Sequence, residues 1–118
     1  MFLLIRTYEE MLIEDIERLK GGKGFVRVIN FFNQEDFLGK GRLYGKSVIK
    51  PGHSIGYHQH SGDQEAYFIL NGEAKYIDNG KEKYLKPGDL AICKDGDYHS
   101  IESIGSEDLE YVMLILFS

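Results

Sequence analysis

Residues 52–65 read GHSIGYHQHSGDQE. His58 and His60 stand two apart, and side chains two apart in a strand point to the same face. Both imidazoles can therefore reach one ion. Glu65 follows across Ser61-Gly62-Asp63-Gln64, turn formers that are expected to bring the chain back as a hairpin and its carboxylate to the same ion. His99 lies near the start of a later segment, YHSIES. If that segment is a neighbouring strand, the set becomes three nitrogens and one oxygen. Imidazole suits Fe, Ni, Cu, Zn and Co, and the carboxylate adds hardness. Four protein donors on a six-coordinate ion leave positions for water or substrate, the condition for a reactive centre. His53 has the opposite parity and follows Pro51-Gly52, so it is expected to be exposed and outside the set.

The surrounding pattern is β. GFVRVINFF and RLYGKSVIK precede the histidines, and short apolar segments separated by turn residues follow them. Asn71-Gly72 and Asn79-Gly80 are dipeptides that favour tight hairpin turns. Regular short strands of this kind predict a sandwich or barrel. In EAKYID the alternation turns Tyr76 inward. The closing YVMLILF reads as a buried strand, far short of the ~20 residues of a membrane helix. Residues 7–20, TYEEMLIEDIERLK, are the one helix candidate: Thr7 and Glu10 match a capping box, Leu12, Ile16 and Leu19 share a helical face, and Gly21-Gly22 would end it. A second short turn is expected at Asn33 as N-cap.

Composition narrows the function. The 118 residues carry a formal net charge of −5, and only Lys81, Lys83 and Lys86 approach a basic stripe, interrupted by Glu82. Nucleic-acid binding is therefore not expected. Hydrophobic residues make up 42%, enough for one packed domain over residues 1–118. One cysteine, Cys93, excludes an internal disulfide, and MFLLI lacks the basic segment of a signal peptide. A cytoplasmic protein with no membrane partner is the expectation.

At this point the sequence resembles the cupin superfamily. Its first motif is matched by Gly52, His58, His60, Glu65 and Gly72 at the family's spacing. Its second is matched by Gly88, Gly96 and His99, with Lys94 where proline is usual and Ser103 where asparagine is usual. Neither departure removes a ligand. The intervening residues 73–87 suffice for one hairpin turning at Asn79-Gly80. The resemblance implies an all-β fold: a double-stranded β-helix (jelly-roll) barrel over about 25–117, here with a short N-terminal helical segment. It implies one divalent transition metal ion held inside by His58, His60, Glu65 and His99, with Fe, Mn, Ni, Zn, Co and Cu not distinguished.

Residues sharing the ligands' parity should line the pocket: Ser54 and Gly56 in the first motif, Asp97, Ile101 and Ser103 in the second. Tyr44, Phe68, Tyr76, Tyr111 and Met113 are candidate walls, and Gln64 a candidate at the metal's edge. Asp63 reads as a solvated loop residue. Arg42 either faces inward to bind an anion or faces out. Cys93 reads as a small buried hydrophobe. The expected function is a metalloenzyme acting on a small oxygenated molecule, by a dioxygenase-like or isomerase-like reaction. The scarcity of acid and base residues disfavours the isomerase. The alternative is a non-catalytic small-ligand binder using the same pocket; a metal kept for stability alone is disfavoured by the complete ligand set. A homodimer is expected, because exposed sheet edges call for covering.

Overall fold

The computed structural model describes residues 4–118, so the first three residues of MFLLI lie outside it. Ten strands form two antiparallel sheets. They are β1 (Leu12–Glu17), β2 (Phe25–Asn30), β3 (Gly41–Ile49), β4 (Ser54–Gln59), β5 (Asp63–Asn71), β6 (Ala74–Asp78), β7 (Lys81–Leu85), β8 (Leu90–Cys93), β9 (Tyr98–Ser103) and β10 (Leu109–Phe117). One sheet has the order β1-β2-β3-β10-β5-β8, the other β4-β9-β6-β7. The two face each other as a jelly roll. Val26, Ile49, Ile69, Ile101 and Leu109, each at most 1% exposed, close the core between them. Among the described residues, no helix is long and apolar enough to cross a membrane.

The helix expected over residues 7–20 does not form. Two single 3₁₀ turns, Tyr8–Glu10 and Leu19–Gly21, flank β1 instead. An isolated helix of that length is marginal in water, and most helical stability comes from tertiary packing. Pairing supplies the competing packing here. Ile13 sits opposite Ile29 and Ile16 opposite Val26 along the free edge of β2. Arg27 donates from Nε and Nη2 to the two Asp15 carboxylate oxygens at 2.9 and 3.0 Å. The helical-looking spacing of Ile16 and Leu19 survives in another form: both pack on the core from a strand and the turn after it. At Asn33 the expected short turn is present as a 3₁₀ segment, Gln34–Phe37, where the Asn33 N–H donates to the Asp36 carboxylate at 2.8 Å.

The two Asn-Gly dipeptides behave differently. Asn79 and Gly80 have φ of 47° and 84° between Asp78 and Lys81, which pair directly, the left-handed pair that a tight hairpin requires. Gly72 also has positive φ, but β5 and β6 belong to different sheets, so Asn71-Gly72 is a crossing and not a hairpin. The chain likewise crosses between sheets from β4 to β5. The expected hairpin carrying Glu65 back beside His60 is therefore absent; the carboxylate reaches the histidines across the sandwich.

Candidate metal centre

β4 and β9 are neighbours, and His58 lies directly opposite His99. Between Ile55 and His58 the register shifts: three steps on β4 match two on β9, from Ile101 to His99. One extra residue in one strand is a β-bulge, which re-aims side chains locally. The bulge explains why Ile55 and His58, of opposite parity, both line the cavity, while Ser54 and Gly56 do not. Ser54 turns its hydroxyl instead to the Lys23 N–H at 2.9 Å. At Gly56 a Cβ would collide with the Lys20 carbonyl oxygen, and one on Gly22 with the Ser54 carbonyl oxygen. The two glycines let the turn after β1 lie directly on β4.

Glu65 comes from the opposite sheet on β5, whose inward residues are Asp63, Glu65, Tyr67 and Ile69. Its carboxylate stands 3.2 Å from His60 Nε2 and 3.3 Å from His99 Nε2. His99 Nε2 is in turn 3.2 Å from the Nε2 atoms of both His60 and His58. One donor atom from each of the four residues lies within 4.8 Å of every other. His60, Glu65 and His99 are buried and His58 is half-buried.

The remaining ring nitrogens decide what those donors are. His58 Nδ1 lies 2.7 Å from the Gly56 carbonyl oxygen, which can only accept, so Nδ1 carries the proton. His60 Nδ1 lies 2.7 Å from the Asp63 carboxylate and is fixed in the same way. His99 Nδ1 lies 2.8 Å from the Tyr76 hydroxyl. In the neutral His58 and His60 rings, Nε2 is then a bare lone pair, and both point with His99 Nε2 toward a carboxylate oxygen; the Tyr76 hydroxyl, which donates or accepts, is compatible with either His99 tautomer. Convergent donors repel one another unless a cation, or a proton on an imidazole Nε2, stands between them. Two donors about 2.1 Å from a shared ion stand about 3.0 Å apart at a right angle and about 3.4 Å apart at the tetrahedral angle. The observed 3.2–3.3 Å separations fall in that interval. The residues fit a divalent transition metal ion.

In the metal-free protein, burial raises the Glu65 carboxyl, but the hydrogen bonds from His60 and His99 outweigh it and hold it down at about 2. The Glu65 hydrogen bond raises His60, aided by Asp63, whereas burial lowers His58.

A cavity of about 390 Å³ opens from this cluster. Its apolar wall includes Ile16, Leu19, Val28, Leu43, Ile55 and Ile115. Of the expected walls, Tyr111 and Met113 do line it. Tyr76 is buried but spends its hydroxyl on His99. Phe68, 44% exposed, and Gln64 lie on the outer face of β5, because they alternate with Glu65 and Tyr67. Tyr44 is outside too, packed edge-on against Phe31 and Phe32. In the second motif Ile101 and Ser103 point inward, as their parity with His99 requires, and pack beneath the site in the core.

Two expectations fail in instructive ways, at Asp63 and His53, and one left open, at Arg42, is narrowed. Asp63 is not a solvated loop residue: it is 6% exposed and bridges His60 to Arg42, whose Nε donates to it at 2.9 Å. Its parity with Glu65, two residues on, is the signal that identifies it. Arg42 reaches the cavity lining with its side chain 48% exposed. His53 lies outside the cluster but is half-buried, accepting the Phe25 N–H at Nδ1 over 3.2 Å. Reasoning from the motifs also missed Tyr67, Ser47, Leu19 and Lys20, which reach the cavity from β5, β3 and the turn after β1. Cys93 is buried as expected, and burial raises its thiol to about 12, which removes it as a nucleophile.

A jelly-roll barrel with three histidines and one glutamate gathered inside it defines a class of metal-site barrels. The model of the cupin domain matches residues 45–115, and the chain belongs to the cupin family. It is 39% identical over 114 residues to an oxalate-binding protein of Thermotoga maritima, covering 97% of this chain and 93% of the relative. A crystal structure from the same organism, described as a predicted oxalate decarboxylase, superposes with TM-score 0.92 at 36% identity, over 98% of this chain and 100% of that one. A polyketide cyclase from Streptomyces resistomycificus shares the fold at 15% identity and TM-score 0.77, over 98% of this chain and 80% of that one.

Proposed function

We propose that this cupin holds one divalent transition metal ion at His58, His60, Glu65 and His99 and binds a small, oxygen-rich acid beside it. The observation that carries the reading is the convergence of three imidazole Nε2 atoms and the Glu65 carboxylate, with the Nδ1 atoms of His58 and His60 committed to Gly56 and Asp63. When bound, the ion supplies a Lewis-acidic anchor for ligand oxygens. The chain supplies the rest: Asp63 fixes the His60 ring, the Arg42 guanidinium at the mouth offers donors to an anion, and the apolar wall excludes water. The oxalate-binding relative at 39% identity supports a carboxylate ligand.

Ligand binding is the best-supported activity. Oxidative cleavage of the bound acid is the second reading, favoured by four protein donors leaving open positions on a six-coordinate ion. Isomerisation lacks a base: Asp63 is engaged by both His60 and Arg42, and Glu14 at the rim accepts from Asn30. Calorimetry of the metal-loaded protein with oxalate is expected to give saturable 1:1 binding that EDTA abolishes. Binding that survives metal removal and the Arg42→Ala substitution would overturn the assignment. Oxygen uptake or carbon dioxide release during the same titration separates the two readings.

We also infer a homodimer, supported by the exposed apolar residues Phe68, Leu70, Leu90 and Ile92 on the outer face of β5 and β8. Sedimentation should give twice the 13.5 kDa chain mass, and a monomer at micromolar concentration would refute it.

A further inference from the structure

The cavity has a polar end that the metal centre does not use. Tyr111, 0% exposed, lines the cavity, and its hydroxyl makes no hydrogen bond of good geometry, with only the Ser47 and Tyr67 hydroxyls near it. Its cross-strand partner is Ser47, on β3. The Ser47 hydroxyl donates elsewhere, to the weak acceptor Met113 Sδ at 3.3 Å. Buried hydroxyls nearly always find a partner, and one without it is costly. Tyr67 lies between this end and the histidine cluster: its ring stacks on His99 at 5.1 Å and meets the Tyr111 ring at 4.3 Å. Along β10 the inward residues step away from the cluster, with Ile115 level with Glu65, Met113 with Tyr67 and Tyr111 with Ile69.

Size gives a second, independent observation. At ~30 Å³ per water, 390 Å³ is room for roughly a dozen non-hydrogen atoms. Oxalate, a two-carbon dianion, would leave much of that space unfilled. The unfilled part is the stretch past Met113 to Val28, Ser47 and Tyr111, which the strand register places level with one another.

We propose that the ligand is longer than oxalate: an acid whose carboxylate end meets the ion and Arg42, whose apolar body lies on Met113, and whose far oxygen accepts the Tyr111 hydroxyl. This rests on the acid-binding reading above and adds the ligand's second end. Tyr111 is then a specificity residue, one that rejects acids of the right length that lack the terminal oxygen.

The test is calorimetry on the metal-loaded protein with acids matched in pairs. One pair is 2-oxoadipate and 2-oxohexanoate, the other 4-hydroxyphenylpyruvate and phenylpyruvate, with oxalate as the short reference. In at least one pair the acid with the terminal oxygen should bind tighter than its partner by about tenfold. Tyr111→Phe should erase that advantage, leave oxalate affinity within about twofold, and leave the ligand-free melting temperature equal or higher, because a buried unpaired hydroxyl is removed. No preference for a terminal oxygen in the wild type, or one that Tyr111→Phe leaves unchanged, would overturn the proposal. The wild-type series stands even if the variant folds poorly. Failure of oxalate and every other acid to bind would overturn the acid-binding reading itself, whereas oxalate binding without the terminal-oxygen preference overturns only the second end.

Discussion

Asp63 shows how one side chain outside the ligand set can govern it. Its Oδ1 accepts from His60 Nδ1 and its Oδ2 from Arg42 Nε, so one carboxylate fixes a ligand's tautomer and holds the cation at the cavity mouth. Partners that orient a metal-binding imidazole typically change metal affinity 10- to 100-fold when removed. Asp63→Asn keeps the shape, but its amide can present an N–H where the ring needs an acceptor. A loss of metal affinity of about that size is expected in competition with a chromogenic chelator. Unchanged affinity would mean that His60 is held by its strand alone. The same residue marks a limit of reading the sequence: Ser61, Gly62 and Gln64 around it advertise a loop, yet β5 begins at Asp63 and its parity turns it inward with Glu65.

At the scale of elements, the convergence of His58 and His60 was legible because histidines two apart in a strand share a face whatever the sheet around them. The connections were less legible. Local turn residues at Asn71-Gly72 and at residues 61–64 promised hairpins, but whether a turn joins neighbours or crosses between sheets depends on pairing partners distant in sequence. The bulge between Ile55 and His58 is equally non-local, visible only against β9. The segment 7–20 carries helical spacing, yet the free edge of β2 captures it as β1. That capture has a structural consequence at Gly56, where the Lys20 carbonyl lies against the bulged strand. Gly56→Ala should force the turn off β4 and destabilise the protein by about 1–3 kcal/mol, as overpacking does. Chemical denaturation would measure it. A neutral result would show that the turn yields freely and that residues 19–22 are loosely held.

For the molecule as a whole, the proposed ion and the barrel would be coupled through protonation. Metal binding needs neutral imidazoles and an ionised Glu65, so affinity should fall as pH drops through the imidazole range. The folded-state shift of His60 is upward, driven by the Glu65 hydrogen bond, so its proton competes for the site from above the ordinary histidine value. In the metal-free protein the sign at His60 reverses. A raised folded pKa contributes stability that is fully present below the unfolded value and lost as pH rises through the folded one. Glu65 behaves oppositely: depressed from 4.5 to about 2, it contributes stability above 4.5 that is lost as pH falls toward 2. Thermal melts from pH 8 to pH 5 should therefore show the metal-loaded protein losing its advantage over the stripped protein. A gap that stays constant over that range would separate the ion from these histidines.

The central claim is that His58, His60, Glu65 and His99 hold an ion, and elemental analysis of protein purified without added metal tests it most directly. The account predicts close to one transition-metal ion per chain, lost in His99→Ala, with a melting temperature that EDTA lowers in the wild type and leaves unchanged in the variant. A wild-type protein that carries no metal, takes none up from solution and melts identically with and without EDTA would contradict it.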